Sequence, residues 1–176
     1  MVGRSPILDF APGAMFDVEG YFMNTDVLEQ EKISREEMIR LLNEDLAREY
    51  QAIIAYVVYS QVLKGAAYMN IAKELEKHAG EELLHALKIS KQIDYFGGMP
   101  EVTPKKVATS EDAKRMLQFD LENEKETIRN YRQRIEQADA MGEFALSEVL
   151  RGIIVQEQEH LIDLATALGI EAPETN

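Results

Sequence analysis

Six residues of this chain have the types and spacing needed to hold a pair of metal ions. Glu82 and His85 stand three apart, as do Glu157 and His160, so each Glu-x-x-His pair lies on one helix face, about one turn from carboxylate to imidazole. Glu49 precedes Glu82 by 33 residues, and Glu124 precedes Glu157 by the same 33. Two helices would then offer one glutamate each and two would offer Glu-x-x-His, all toward a common centre. Carboxylate and imidazole donors suit iron or manganese, whereas a thiolate set would select other metals. Four carboxylates carry four negative charges, which two divalent cations balance. Without cations, burial and mutual repulsion would force protons onto some of them.

The residues around these six place them on core-facing stripes. Leu42, Leu46, Glu49, Ile53 and Tyr56 alternate steps of four and three, the rhythm of one helix face. Adding 75 to each number gives Leu117, Leu121, Glu124, Ile128 and Tyr131. Leu75, His78, Glu82, His85, Ile89 and Ile93 map in the same way onto Leu150, Ile153, Glu157, His160, Leu164 and Leu168. The chain is thus an internal repeat, broken within the stripe by His78 against Ile153. A glutamate on a core stripe is costly unless paired or metal-bound. Glu81, Glu122, Glu126 and Glu159 fall off the stripe and are read as solvated. Tyr56 and Tyr131 are either core aromatics or hydroxyl donors to the glutamates. His78 is read as a partly exposed structural histidine, ahead of an auxiliary ligand or channel residue.

Four helices must carry these stripes. Ser34-Arg35-Glu36-Glu37 is a capping box that opens a helix running to about Leu63, with Gly65 as its stop. The second periodic run spans about 66–96 and stops at Gly97-Gly98. Thr109 to Asp112 opens the third, which ends near Ala140 before Gly142. The fourth runs from about Glu143 to Leu168, with Gly169 beyond it. No segment shows the sustained alternation of a strand. The short links at Gly65 and Gly142 make two antiparallel hairpins. The segment from Gly97 to Thr109 reaches roughly 43 Å when extended, about the ~42 Å length of a 28-residue helix. The expected fold is all-α: a four-helix bundle of two antiparallel hairpins joined by a long crossover. The bundle spans 34–169, after an irregular extension (1–33) and before a short tail (170–176).

Composition limits the function. The chain has 176 residues, 19 Lys+Arg against 32 Asp+Glu and a net charge of −13. Such a chain lacks the basic footprint of a nucleic-acid binder, and its extension holds only Arg4 and Lys32 against six acidic residues. The same charge would attract metal cations. There is no cysteine, which excludes disulfides, thiol catalysis and a fused rubredoxin-type electron donor. No apolar run reaches the 18 residues needed to span a membrane. The start does not read as a signal peptide, because Ile7 to Phe10 is cut by Asp9 and followed by Pro12-Gly13. A cytoplasmic location is expected.

These motifs resemble the ferritin-like superfamily, and within it bacterioferritin and its Dps-like relatives. The segment Leu42-Asn43-Glu44-Asp45-Leu46-Ala47-Arg48-Glu49, followed by Ala52-Ile53 and Tyr56, is similar to that family's first helix. The resemblance covers about residues 34–169. It implies Glu49 and Glu124 as terminal ligands, Glu82 and Glu157 as bridging carboxylates, and His85 and His160 on one iron each. The family places an Asp before each bridging Glu to orient the opposite histidine; here those positions hold Glu81 and Gln156. The haem-binding Met that follows the first bridging Glu in bacterioferritin is Leu83 here, so haem is not expected. Only seven residues follow Gly169, so the short fifth helix of 24-subunit cages is not expected. Ordinary Dps proteins build their iron site between subunits, whereas this chain carries a full set itself.

The expected function is therefore iron storage with a ferroxidase centre. It would take two Fe ions per chain, with Mn as the alternative, use O2 or H2O2 as oxidant, and form a homo-oligomeric shell of 12 or 24 chains. Two rivals are a non-cage di-metal enzyme, such as an erythrin-like peroxidase or a manganese catalase, and a metal-free interaction module.

Overall fold

The structure is a computed structural model that describes residues 32–175; the reading of the extension lies outside them up to residue 31. Ser34 caps the first helix by accepting a hydrogen bond from the Glu37 amide at 3.1 Å, and α1 runs Arg35–Val62. The Glu37 carboxylate, expected to reach back to Ser34, pairs with Arg40 at 2.7 Å instead. A 3₁₀ turn at Ala66–Tyr68 leads into α2, Met69–Tyr95. The sequence periodicity starts that helix at Ala66, because a 3₁₀ turn carries nearly the same short period. Asp112 caps α3, Ala113–Met141, by accepting from the Lys114 amide at 2.9 Å. Gly142, at φ 79°, turns the chain left-handed, so that the Gly142 and Glu143 amides return to the Asp139 and Ala138 carbonyls. Then α4 runs Phe144–Leu168. Among the described residues there is no strand, and no helix is long and apolar enough to cross a membrane.

The four helices form one bundle in which α1 packs on α2, α3 on α4, α1 on α3 and α2 on α4. Cross-helix pairs fix the directions. Asp45 meets Arg134, Glu49 meets Tyr131 and Tyr56 meets Glu124, so α3 runs opposite to α1. His78 meets Asp163, Glu81 meets His160 and His85 meets Gln156, so α4 runs opposite to α2. Since α2 also opposes α1, α2 and α3 point the same way, and their linker must traverse the bundle. It does so along α1. Asn43 holds Met99 and Glu101, Gln51 holds the Lys106 carbonyl, and the Tyr59 hydroxyl donates to Ala108. From Asn43 to Tyr59 the helix rises about 24 Å, which the linker covers between Met99 and Ala108 at roughly 2.7 Å per residue, close to its extended limit.

The core has two apolar clusters. One contains Tyr56, Tyr59, Leu75, Leu117, Leu121 and Leu164. The other contains Met38, Leu42, Ile89, Ile93, Leu146 and Leu150. Each fully buried Leu or Ile contributes roughly 1.5–3 kcal/mol, and together they offset the cost of a charged layer on the same inward stripes. Nearly every position of the four predicted stripes is buried; Ile53 is the exception, half-buried where its counterpart Ile128 is fully so.

Candidate metal centre

All six predicted residues converge in that charged layer and are at most 2% exposed. They fall into two groups of four that share two members. Glu49, Glu82, His85 and Glu157 form one; Glu82, Glu124, Glu157 and His160 form the other, with donor atoms within 4.8 Å of one another in each. The shared glutamates face both histidines. Glu82 sets one oxygen 3.0 Å from His85 Nδ1 and the other 2.9 Å from His160 Nδ1. Glu157 sets its two oxygens 2.9 Å from His85 Nδ1 and 3.6 Å from His160 Nδ1. Glu49 approaches His85 Nδ1 at 3.5 Å. The helical i,i+3 spacing brings each histidine over its own glutamate, and the opposed run of α2 and α4 brings it to the other.

The polar atoms test whether cations fit. Glu49 Oε2, Glu82 Oε1, Glu124 Oε2, Glu157 Oε1 and His160 Nδ1 are buried without a hydrogen-bond partner. Several of these atoms stand 2.9 Å from a neighbour yet lack hydrogen-bond alignment. Buried donor atoms that converge this closely, with five of them left unsatisfied, form the arrangement a shared cation satisfies. The donor set of carboxylates and imidazoles fits Fe or Mn.

Protons otherwise balance the site. Burial, then the charges of Glu82 and Glu157, hold the Glu49 carboxyl well above its usual range. Burial and the same two charges do so for Glu124. Burial also pushes Glu82 upward, but its close contacts with His160, His85 and Glu49 outweigh it and leave Glu82 lowered. Glu157 is lowered too, as its close contacts with His160, His85 and Glu124 overcome burial and the Glu82 charge. Burial opposes the charged form of both histidines, yet the carboxylates close around them raise His85 far above its ordinary value and His160 to about 11. These shifts favour the charged forms of Glu82, Glu157 and both imidazoles, and the neutral forms of Glu49 and Glu124.

A further ring of contacts holds these groups in place. The Tyr56 hydroxyl donates to Glu124, and the Tyr131 hydroxyl donates to Glu49, each across the α1–α3 contact. Of the two readings of these tyrosines, the structure selects the hydroxyl donors. His85 Nε2 donates to the Gln156 side-chain oxygen and His160 Nε2 to Glu81, both at 3.0 Å. Glu81, read as off-stripe, therefore touches the site from α2; its place directly before Glu82 is the signal in the sequence. His78 is corrected. It is 1% exposed, with its ring stacked 4.0 Å from that of His160, because α4 closes over it. Glu122 and Glu126 lie on the surface, ion-paired with Lys125 and Arg48. Leu83 is 51% exposed on the outer side of α2. A narrow pocket between α1 and α3 passes Gln51, Ala52, Asn123 and Thr127 and reaches the glutamates.

Known proteins resemble this chain in sequence and fold. The ferritin-like domain family matches residues 39–171. A bacterioferritin of Brucella melitensis is 26% identical over 136 residues, covering 77% of this chain and 84% of its own. Among solved structures, a ferritin-like, diiron-carboxylate protein of Bacillus anthracis is 34% identical with a TM-score of 0.74, covering 77% of this chain and 99% of its own. A dodecameric thioferritin of Bacteroides fragilis, described as bacterioferritin-related, is 27% identical with a TM-score of 0.72, covering 80% and 89%. With its helices, its antiparallel hairpins and most of its length accounted for, the chain belongs to the ferritin-like domain family.

Proposed function

We propose that this protein oxidises Fe(II) at a di-iron centre held within one chain and stores the Fe(III) product in a homo-oligomeric shell. The observation that carries this reading is the placement of Glu82 and Glu157, each with one oxygen toward His85 and the other toward His160. Two ions side by side would share both carboxylates. Glu49 and His85 would complete one position, and Glu124 and His160 the other. Bacterioferritin and diiron-carboxylate relatives support iron chemistry, and a dodecameric relative supports a shell. The exposed Ile54, Val57, Leu83, Leu84 and Leu87 on α1 and α2 offer apolar surface for contact between chains.

Fe(II) is the substrate, and the electrons balance simply. Two Fe(II) give two electrons; O2 with two protons becomes H2O2, or H2O2 with two protons becomes two waters. The chain's part is to bind, orient and handle protons. Glu49, Glu124, His85 and His160 must give up protons as cations bind. Tyr56 and Tyr131 fix the outer carboxylates, and the two apolar clusters keep bulk water from both ends of the layer.

Aerobic Fe(II) titration of metal-free protein tests the reading. Soluble ferric iron far beyond two per chain is expected. Saturation near two would replace storage with a non-cage di-metal peroxidase or catalase. The E82Q/E157Q variant should lose fast Fe(II) oxidation; unchanged iron occupancy in that variant would remove the site itself.

A further inference from the structure

The internal repeat fails at one corner of the bundle. Glu74, His78 and Asp163 have Val149, Ile153 and Lys88 as their counterparts 75 residues away. This α2–α4 corner thus carries two carboxylates and an imidazole, where the corner related to it by the repeat carries two apolar residues and a cation. An imidazole in an isoleucine's place is costly unless something uses it.

Each of the three residues is placed to act together. Their donor atoms lie within 4.8 Å of one another. His78 Nε2 is 3.2 Å from an Asp163 oxygen. Nε2 is the ring nitrogen that faces Asp163, and Nδ1 is buried with no hydrogen-bond partner, so the protein satisfies only one of the two ring nitrogens. The two carboxylates are half-exposed and border a pocket of about 180 Å³, which Asn70 and Thr166 also line. Lys77 reaches Glu74 only at 3.8 Å from an exposed position, a contact of little energetic weight. The pocket lies on the α2–α4 side, away from the α1–α3 opening to the glutamates.

We propose that Glu74, His78 and Asp163 hold a third divalent cation, outside the four-carboxylate centre and exchangeable with solvent. One nitrogen and two carboxylate oxygens suit Fe(II), Mn(II), Co(II) or Zn(II) in preference to the all-oxygen cations. Water from the pocket fills the remaining positions. His78 also lies within 4.8 Å donor reach of Glu81 and His160, so this cation sits one imidazole away from the inner pair. The site uses none of the six inner residues and stands independently of them.

Anomalous scattering from Co(II)-loaded crystals of the full chain tests it. The wild type should show a peak bonded to His78 and Asp163 in addition to those at the inner glutamates. The E74Q/D163N variant changes only half-exposed side chains; it should lose the outer peak and keep the inner ones. A wild type with inner peaks alone, or an outer peak that survives E74Q/D163N, overturns the proposal. An outer peak without inner ones would uphold it and remove the di-iron reading instead.

Discussion

The two inner histidines are matched in position but not in partner. His85 rests on the neutral amide oxygen of Gln156, whereas His160 rests on the carboxylate of Glu81, each at 3.0 Å. A carboxylate behind an imidazole makes it a better donor to a cation, so the His160 half should bind the first divalent ion more tightly. Glu81→Gln should weaken the tighter of the two inner Co(II) ions by about ten-fold or more. Gln156→Glu should strengthen the weaker one. Stepwise anaerobic titration reads both, and unchanged affinities in both variants would refute the asymmetry. The six inner residues are legible in the sequence because a charged residue repeated on an apolar stripe has few explanations. The tyrosine contacts are only half legible. Tyr56 lies seven residues after Glu49 on its own helix, yet its hydroxyl goes to Glu124 on another. That choice depends on the α1–α3 register, which spacing along one helix does not encode. The burial of His78 escapes the sequence for a similar reason, since it is α4, not α2, that covers the ring.

Helices and hairpins are readable from period, caps and glycine stops, whereas the path of the crossover is not. Its anchors, Asn43, Gln51 and Tyr59, look like ordinary surface or core residues until the linker lies beside them. Glycines give a test of element boundaries in which one added methyl has opposite effects. Gly142 ends α3 at φ 79°, and an added methyl there would meet no atom within 4 Å, so the penalty is purely conformational. Gly142→Ala should cost about 1 kcal/mol. Gly152 lies inside α4 with open space around it and no positive φ. Gly152→Ala should stabilise by roughly 0.5–1 kcal/mol through helix propensity. Denaturant midpoints at constant slope read both effects; shifts of the same sign would contradict the assigned ends of α3 and α4.

At the scale of the molecule, two apolar clusters enclose a layer whose charge is balanced either by protons or by cations, and this ties stability to pH. The metal-free fold keeps protons that the unfolded chain releases. The His160 value of about 11 stands above its unfolded value of about 6.5, and His85, Glu49 and Glu124 are raised as well. Raised values mean stability that is present at low pH and lost as pH climbs toward the folded values. Glu82 and Glu157 are lowered, so their contribution changes only in acid. His78, held at about 4 by burial and then by the His160 charge, is neutral both folded and unfolded above pH ~6.5. Between about pH 6.5 and 9 the shifts in the layer therefore act in one direction. Each proton held only by the folded state removes up to roughly 1.4 kcal/mol per pH unit. The Tm of chelator-treated protein should fall steadily across that window. Cations replace the same protons and bind more tightly as pH rises, so Co(II)- or Mn(II)-loaded protein should show a flat or rising Tm over the same range. Calorimetry of both forms decides the matter: parallel curves would mean that protons and cations do not compete for Glu49, Glu124, His85 and His160.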